Sequence, residues 1–174
     1  MTEQLAVVAR CLIGVVFVLS AAGKLRSRTA FAEFARSGRA LTGALLGGRP
    51  IGRVAGLWVG AAVVTAEIAV VALLAVTATS RAGFALAIVL LLGFTAGLLA
   101  EMRRGTRTPC RCFGSSSTPI DRRHIVRNAA LIALSAAGVA AGPIPLLHPA
   151  AAAAGAVLAL VVARLDDLAE LFAN

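Results

Sequence analysis

Long, nearly unbroken apolar blocks constrain this chain more than any other feature. Five of them, residues 5–22, 54–76, 82–100, 127–142 and 149–163, lack the spacing of 2.0 or 3.6 that marks a half-buried strand or a surface helix. About 20 such residues cross a hydrocarbon core of about 30 Å as a helix, and a helix satisfies every backbone polar group within the segment. Lipid is therefore the expected solvent. The chain is 59% hydrophobic and only 14% charged, against roughly 25% charged in an ordinary soluble domain. The expected fold is an all-α integral membrane protein, one membrane domain over residues 1–174, built as a compact bundle of four to five transmembrane helices.

Two of the blocks carry an alternative. The first could be a cleaved signal peptide, because Arg10 precedes a short apolar run that ends in the small residues Ser20, Ala21 and Ala22. The fifth is short and rich in Ala, so a re-entrant or interfacial segment competes with a span. Gly142, Pro143, Pro145, His148 and Pro149 separate it from the fourth and mark a turn, with His148 a solvated loop residue.

The formal net charge is +9, which raises the question of a nucleic-acid partner. The basic residues sit between apolar blocks, without aromatic interleaving or a recognition motif, so membrane lipids are the expected counter-charge and no nucleic acid is expected. Basic residues are concentrated in two connections. Residues 23–53 hold Lys24, Arg26, Arg28, Arg36, Arg39, Arg49 and Arg53, while residues 101–126 and their edge hold Arg103, Arg104, Arg107, Arg111, Arg122, Arg123 and Arg127. The second connection has only Arg81 and the fourth has none. Translocating such residues is disfavoured, so both basic loops are expected in the cytoplasm, with the N-terminus outside. With five spans the acidic tail carrying Asp166, Asp167 and Glu170 becomes a short cytoplasmic helix.

Small residues suggest how the helices meet. Gly56 and Gly60, Gly93 and Gly97, and Gly138 and Gly142 form GxxxG pairs, which let backbones approach closely; bundle packing is the preferred reading over dimerisation, and the oligomeric state is open. Trp58, near the start of the second block, suits an interfacial anchor.

The third connection concentrates the candidate chemistry. It contains Cys110 and Cys112, one residue apart, with Arg107 and Arg111 flanking Cys110. A disulfide between them closes a small strained ring, and strained bridges are the labile, regulatory or catalytic ones. It would do little stapling, since stabilisation grows with the loop closed. Thiolate is the reactive species, and Arg111, its basic neighbours and a helix N-terminus signalled by Thr118, Pro119 and Asp121 all favour that anion. Phe113 and Gly114 let the loop dip to the interface and turn back. Two alternatives stand beside a redox pair: inert reduced thiols, or a soft-metal site of the copper or zinc kind. Only His124 lies close enough in sequence to add a ligand, and a zinc site wants about four. Cys11, near the far end of the first block, reads as a small apolar packer.

Glu67 lies midway along the second block, where an ionisable group costs at least about 2.5 kcal/mol and faces the bundle interior. It needs a partner or a proton. Arg10 is the cation expected at comparable depth, which leaves two readings: a structural Arg10–Glu67 bridge, or a proton or ligand site.

The run Cys110 to Gly114, followed by a basic helix start at Asp121 to Asn128, resembles the membrane protein MauE of methylamine-utilisation systems and the wider group that includes DoxX-like proteins. Gly23, Lys24 and Leu25 after the first block, Phe31 and Phe34 beyond them, and Glu67 extend the resemblance over about the first 140 residues. It implies a four- or five-helix protein of the bacterial cell membrane that assists disulfide formation or electron delivery with a thioredoxin-like redox protein as partner. A carrier such as a quinone could link the two faces, although no quinone site can be read from the residues. The family context places oxidative folding outside the cytoplasm, whereas the count of basic residues places the cysteines inside. Soft-metal transport, with Glu67 lining the path, and a non-catalytic scaffold are the rival functions.

Overall fold

The computed structural model describes residues 3–103, 122–141 and 149–163. Among these the chain forms six α-helices and no strand: α1 (Glu3–Leu25), α2 (Arg28–Leu45), α3 (Arg53–Ala75), α4 (Ser80–Arg103), α5 (Arg122–Ala141) and α6 (Pro149–Ala163), with a 3₁₀ turn at Thr77–Thr79 between α3 and α4. Helices α1, α3, α4 and α5 are long and apolar enough to cross a membrane. At 1.5 Å per residue the 23 residues of α3 reach about 35 Å. The 15 residues of α6 reach only about 22 Å, so it remains a short apolar helix, as expected of the fifth block.

The connection at residues 23–53, expected to be a basic loop, is instead largely helical. Ser27 caps α2, its hydroxyl accepting from the Ala30 amide at 3.0 Å, which satisfies one of the orphan donors of the first turn. Phe34, Ala35, Leu41 and Ala44 are buried along one face, an i, i+1, i+7, i+10 pattern that a 3.6-residue period brings to one side. The helix ends where Gly47 and Gly48 take φ of 74° and 88°, a left-handed conformation that any side chain would strain. This helix is amphipathic rather than spanning, and it lies against α3 and α4.

Helix α1 is the hub. It packs on α6, α3, α5 and α2, and Ile13, Val16 and Phe17 meet Val70, Phe84 and Leu91 in the apolar core. Close approach is set by glycines. A Cβ on Gly138 would fall 2.6 Å from the Phe84 ring, and one on Gly155 would fall 2.7 Å from the Val8 carbonyl oxygen. Gly56 and Gly60 face Arg39 and Ala35 of α2, and Gly97 faces Leu41, so these small residues serve packing within the chain. Gly142 lies outside the described residues. The outer surface carries Trp58, Val89, Val126 and Leu160, all well exposed. Apolar groups outside and charged groups inside are the arrangement that lipid, not water, selects.

Contacts between facing helices fix direction. Gly83 meets Leu74, Gly138 meets Phe84 and Asn128 meets Thr95, so α3, α4 and α5 alternate up and down. The end of α4 and the start of α5 therefore share one end of the bundle with the start of α3. The described flanks of both basic connections, Leu25 and Arg53 of the first and Arg103 and Arg122 of the second, thus lie at the same end of the bundle.

Candidate functional site

A buried ion pair occupies the middle of the bundle. Glu67, on the inward face of α3, is 0% exposed, and the Lys24 ammonium lies 2.6 Å from its Oε1. The expected Arg10–Glu67 bridge is not formed. Arg10 donates instead through Nε to the Leu74 carbonyl and through Nη2 to the Ala75 carbonyl at 2.8 Å, with Thr77 Oγ1 within 3.4 Å of Nη1. These carbonyls end α3, where no further turn of helix supplies donors and the dipole is negative, so a guanidinium is well placed there. Depth explains the exchange of partners. Glu67 lies eight residues, about 12 Å, from the end of α3 that Arg10 caps. Lys24 begins a turn beyond Glu67 on the other side, but side chains lean toward a helix N-terminus, and its Nζ reaches back to Ser20 Oγ at 2.7 Å.

The site is shared by four helices. From α1, Ser20 donates to Glu67 Oε1 at 3.0 Å while accepting from Lys24. From α2, the Phe34 ring lies 4.6 Å from the Lys24 ammonium, and Phe94 of α4 lies 5.8 Å from it. Both distances are within cation–π range, which is worth about 2 kcal/mol where the cation is desolvated. Lys24, Phe34 and Glu67, far apart in sequence, are three of the positions that carry the family resemblance. Lys24 Nζ, a three-proton donor, is thus met by a hydroxyl, a carboxylate and two ring faces. Glu67 Oε2 is buried and has no hydrogen-bond partner among the described residues.

A second polar layer lies nearer the end that carries the cysteine loop. Asn128 of α5 donates to Thr95 Oγ1 of α4 at 3.2 Å, and Arg127 Nη2 lies 3.5 Å from His124 Nδ1. Glu101, His124, Arg127 and Asn128 are all buried, although each stands within two turns of where α4 stops or α5 starts. Ser135 follows Asn128 by seven residues on the same buried face, and neither its hydroxyl nor Asn128 Oδ1 is satisfied among the described residues.

Cys110, Arg111, Cys112, Phe113 and Gly114 lie outside the described residues, as do Thr118, Pro119, Asp121, His148 and the acidic tail. Helices α4 and α5 bring the two ends of the cysteine loop to one end of the bundle, above the buried Glu101, His124 and Arg127. Cys11 is a free thiol, half-buried beside Gly155 of α6, the packing role expected of it. Among the described residues no three His, Cys, Asp or Glu side chains are grouped as a metal would need.

The sequence reading missed Ser20, Phe94, Thr95, Asn128 and Ser135. Their signal was spacing: Ser20 precedes Lys24 by four residues and Asn128 precedes Ser135 by seven, each a same-face interval in a helix. A polar pair at such an interval inside an apolar block marks an inward stripe.

A model of the family described as methylamine utilisation protein MauE matches residues 2–141. Neither a curated protein nor a solved structure matches the chain.

Proposed function

The chain belongs to the MauE family, and from that premise we propose that it is a membrane thiol–disulfide redox protein whose working groups are Cys110 and Cys112. The observation that carries the proposal is the Cys110-Arg111-Cys112-Phe113-Gly114 run, which lies within the matched residues and between two helices that pack antiparallel. Helices α4 and α5, which flank that run, end and start at the same end of the bundle.

In the oxidising direction a thiolate of a thioredoxin-like partner attacks the Cys110–Cys112 disulfide, forming a mixed disulfide and releasing one of the pair as thiolate. The partner's second thiolate then attacks the mixed bond. The partner leaves as a disulfide, and the pair keeps the two electrons as a dithiol once protonated. Arg111 stabilises the released thiolate. Renewal of the disulfide needs an electron acceptor, for which a membrane quinone is the class expected. The Lys24–Glu67 pair holds α1 against α3 and so supports the frame on which the loop is mounted.

Both cysteines are proposed to face the cytoplasm, because the two basic connections share an end and basic residues resist translocation. The test is a trap: Cys110→Ser and Cys112→Ser variants are expressed in the native membrane and searched by non-reducing mass spectrometry. One variant is expected to accumulate a mixed disulfide that reductant dissolves. Failure of both to hold any partner under oxidising conditions overturns the redox role.

A further inference from the structure

Three arginines from two helices converge on one cavity whose lining, among the described residues, holds no counter-charge. Arg36 and Arg39 of α2 and Arg53 at the start of α3 line a cavity of about 350 Å³, with Ala32, Ala35 and Leu57 forming its apolar wall. None of the three makes an ion pair or hydrogen bond among the described residues, whereas the buried cations Arg10 and Lys24 are both compensated. Arg53 is worse placed still. It opens a 23-residue helix whose first turn holds no acidic residue and whose cap makes no side-chain hydrogen bond, so its charge adds to the positive end of the helix dipole.

The placement of Arg39 is built in. The stem of Arg39 lies flat across α3 at Gly56, where an added Cβ would come within 2.9 Å of Cδ, 3.1 Å of Cγ and 3.2 Å of Cβ. Only glycine lets the guanidinium cross to the cavity. Guanidinium groups stay charged at any working pH and match phosphate oxygens in pairs.

We infer that this cavity binds the phosphate headgroup of an anionic phospholipid. Its position in the bundle favours a lipid over a soluble anion. The cavity opens where the apolar span of α3 begins, and well-exposed Val54 and Trp58 stand at the same depth on the outer surface of that helix, the level of an aromatic anchor at the headgroups. The cavity's volume is enough to admit a headgroup. A basic pocket between helices at the membrane face is a recognised form of headgroup site. The inference is independent of the cysteines and of the redox proposal.

The full chain, purified in detergent, is titrated with phosphatidylglycerol, with phosphatidylcholine and with inorganic phosphate, and bound species are counted by native mass spectrometry. Phosphatidylglycerol is expected to bind in preference to phosphatidylcholine. Each of Arg36→Gln, Arg39→Gln and Arg53→Gln is expected to weaken it roughly fivefold, and the three together to remove the preference. The triple variant Arg26→Gln, Arg28→Gln, Arg49→Gln removes the same charge elsewhere on that side and is expected to leave binding within about twofold. Gly56→Leu, checked for folding by its helical signal, is expected to weaken binding by displacing Arg39. Equal loss in the two triple variants, equal binding of the two lipids, or binding of inorganic phosphate as tight as that of the lipid would each overturn the assignment.

Discussion

Replacing Lys24 by Met while Glu67 remains isolates the energetics of the central pair. At 2.6 Å and an effective dielectric constant of about 20, the attraction is about 6 kcal/mol, part of which is offset by the cost of drying both ions. Removing only the ammonium deletes the attraction and leaves a carboxylate with no exposed surface and, among the described residues, a single donor, Ser20. Breaking a buried pair in this way costs about 3–5 kcal/mol, a factor of about 10² to 10⁴ in the ratio of folded to unfolded protein. Replacing both members, Lys24→Met with Glu67→Leu, removes the desolvated charges together and is expected to restore most of that loss, since apolar pairs of similar volume substitute for buried ion pairs at little cost. Ser20 then bonds back to the carbonyl four residues earlier. The assay is reversible unfolding of the reconstituted chain in mixed micelles, followed by circular dichroism, with the cycle closed by Glu67→Leu alone. A single Lys24→Met loss below about 1 kcal/mol, or a double variant as unstable as either single, would refute the claim that the two charges compensate each other.

Other substitutions test separate contacts. Gly155→Leu places its side chain against the Val8 carbonyl and Cys11, and overpacking of this kind costs about 1–3 kcal/mol; protease sensitivity of the α6 segment is expected to rise while the α3–α4 contacts survive. Arg10→Met strips the donors from the Leu74 and Ala75 carbonyls and is expected to destabilise by about 1–3 kcal/mol, with hydrogen exchange rising at the α3–α4 turn rather than near Glu67. In a Cys11→Ser background, a membrane-impermeant thiol reagent applied to intact cells is expected to leave Cys110 and Cys112 unlabelled until the membrane is opened; labelling without opening reverses the orientation.

Hydropathy exposed the spans because lipid leaves no alternative to a helix of fixed length, and four of the five blocks are long helices at nearly the expected positions. It hid α2. Arg28, Glu33, Arg36 and Arg39 interrupt the apolar stripe of that segment, so its polar and apolar residues offset one another, and counting basic residues turned a helix into a loop. Period rather than average was the informative quantity there, with Ser27 as the start signal. Glu67 was recognisable as inward-facing from its cost alone, but its partner was not. Depth counted from the ends of two antiparallel helices neglects the length and lean of a lysine, and so it favoured Arg10 over a residue set at the far end of α1.

The cations of this bundle divide by what answers them, and the division separates frame from function. Arg10 meets the carbonyls that end a helix. Lys24 meets a carboxylate, a hydroxyl and two aromatic faces. Such groups are expensive to bury and are compensated within the chain, so changing them is felt first as lost stability. Arg36, Arg39 and Arg53 sit together around a cavity that no acid lines among the described residues, at the end of the bundle where α4 stops and α5 starts. Self-repulsion there costs stability in an isolated chain. For these three arginines the proposed relief is the charge of an anionic lipid headgroup. Removing uncompensated arginines should therefore leave folding intact, or improve it, while weakening what the protein binds.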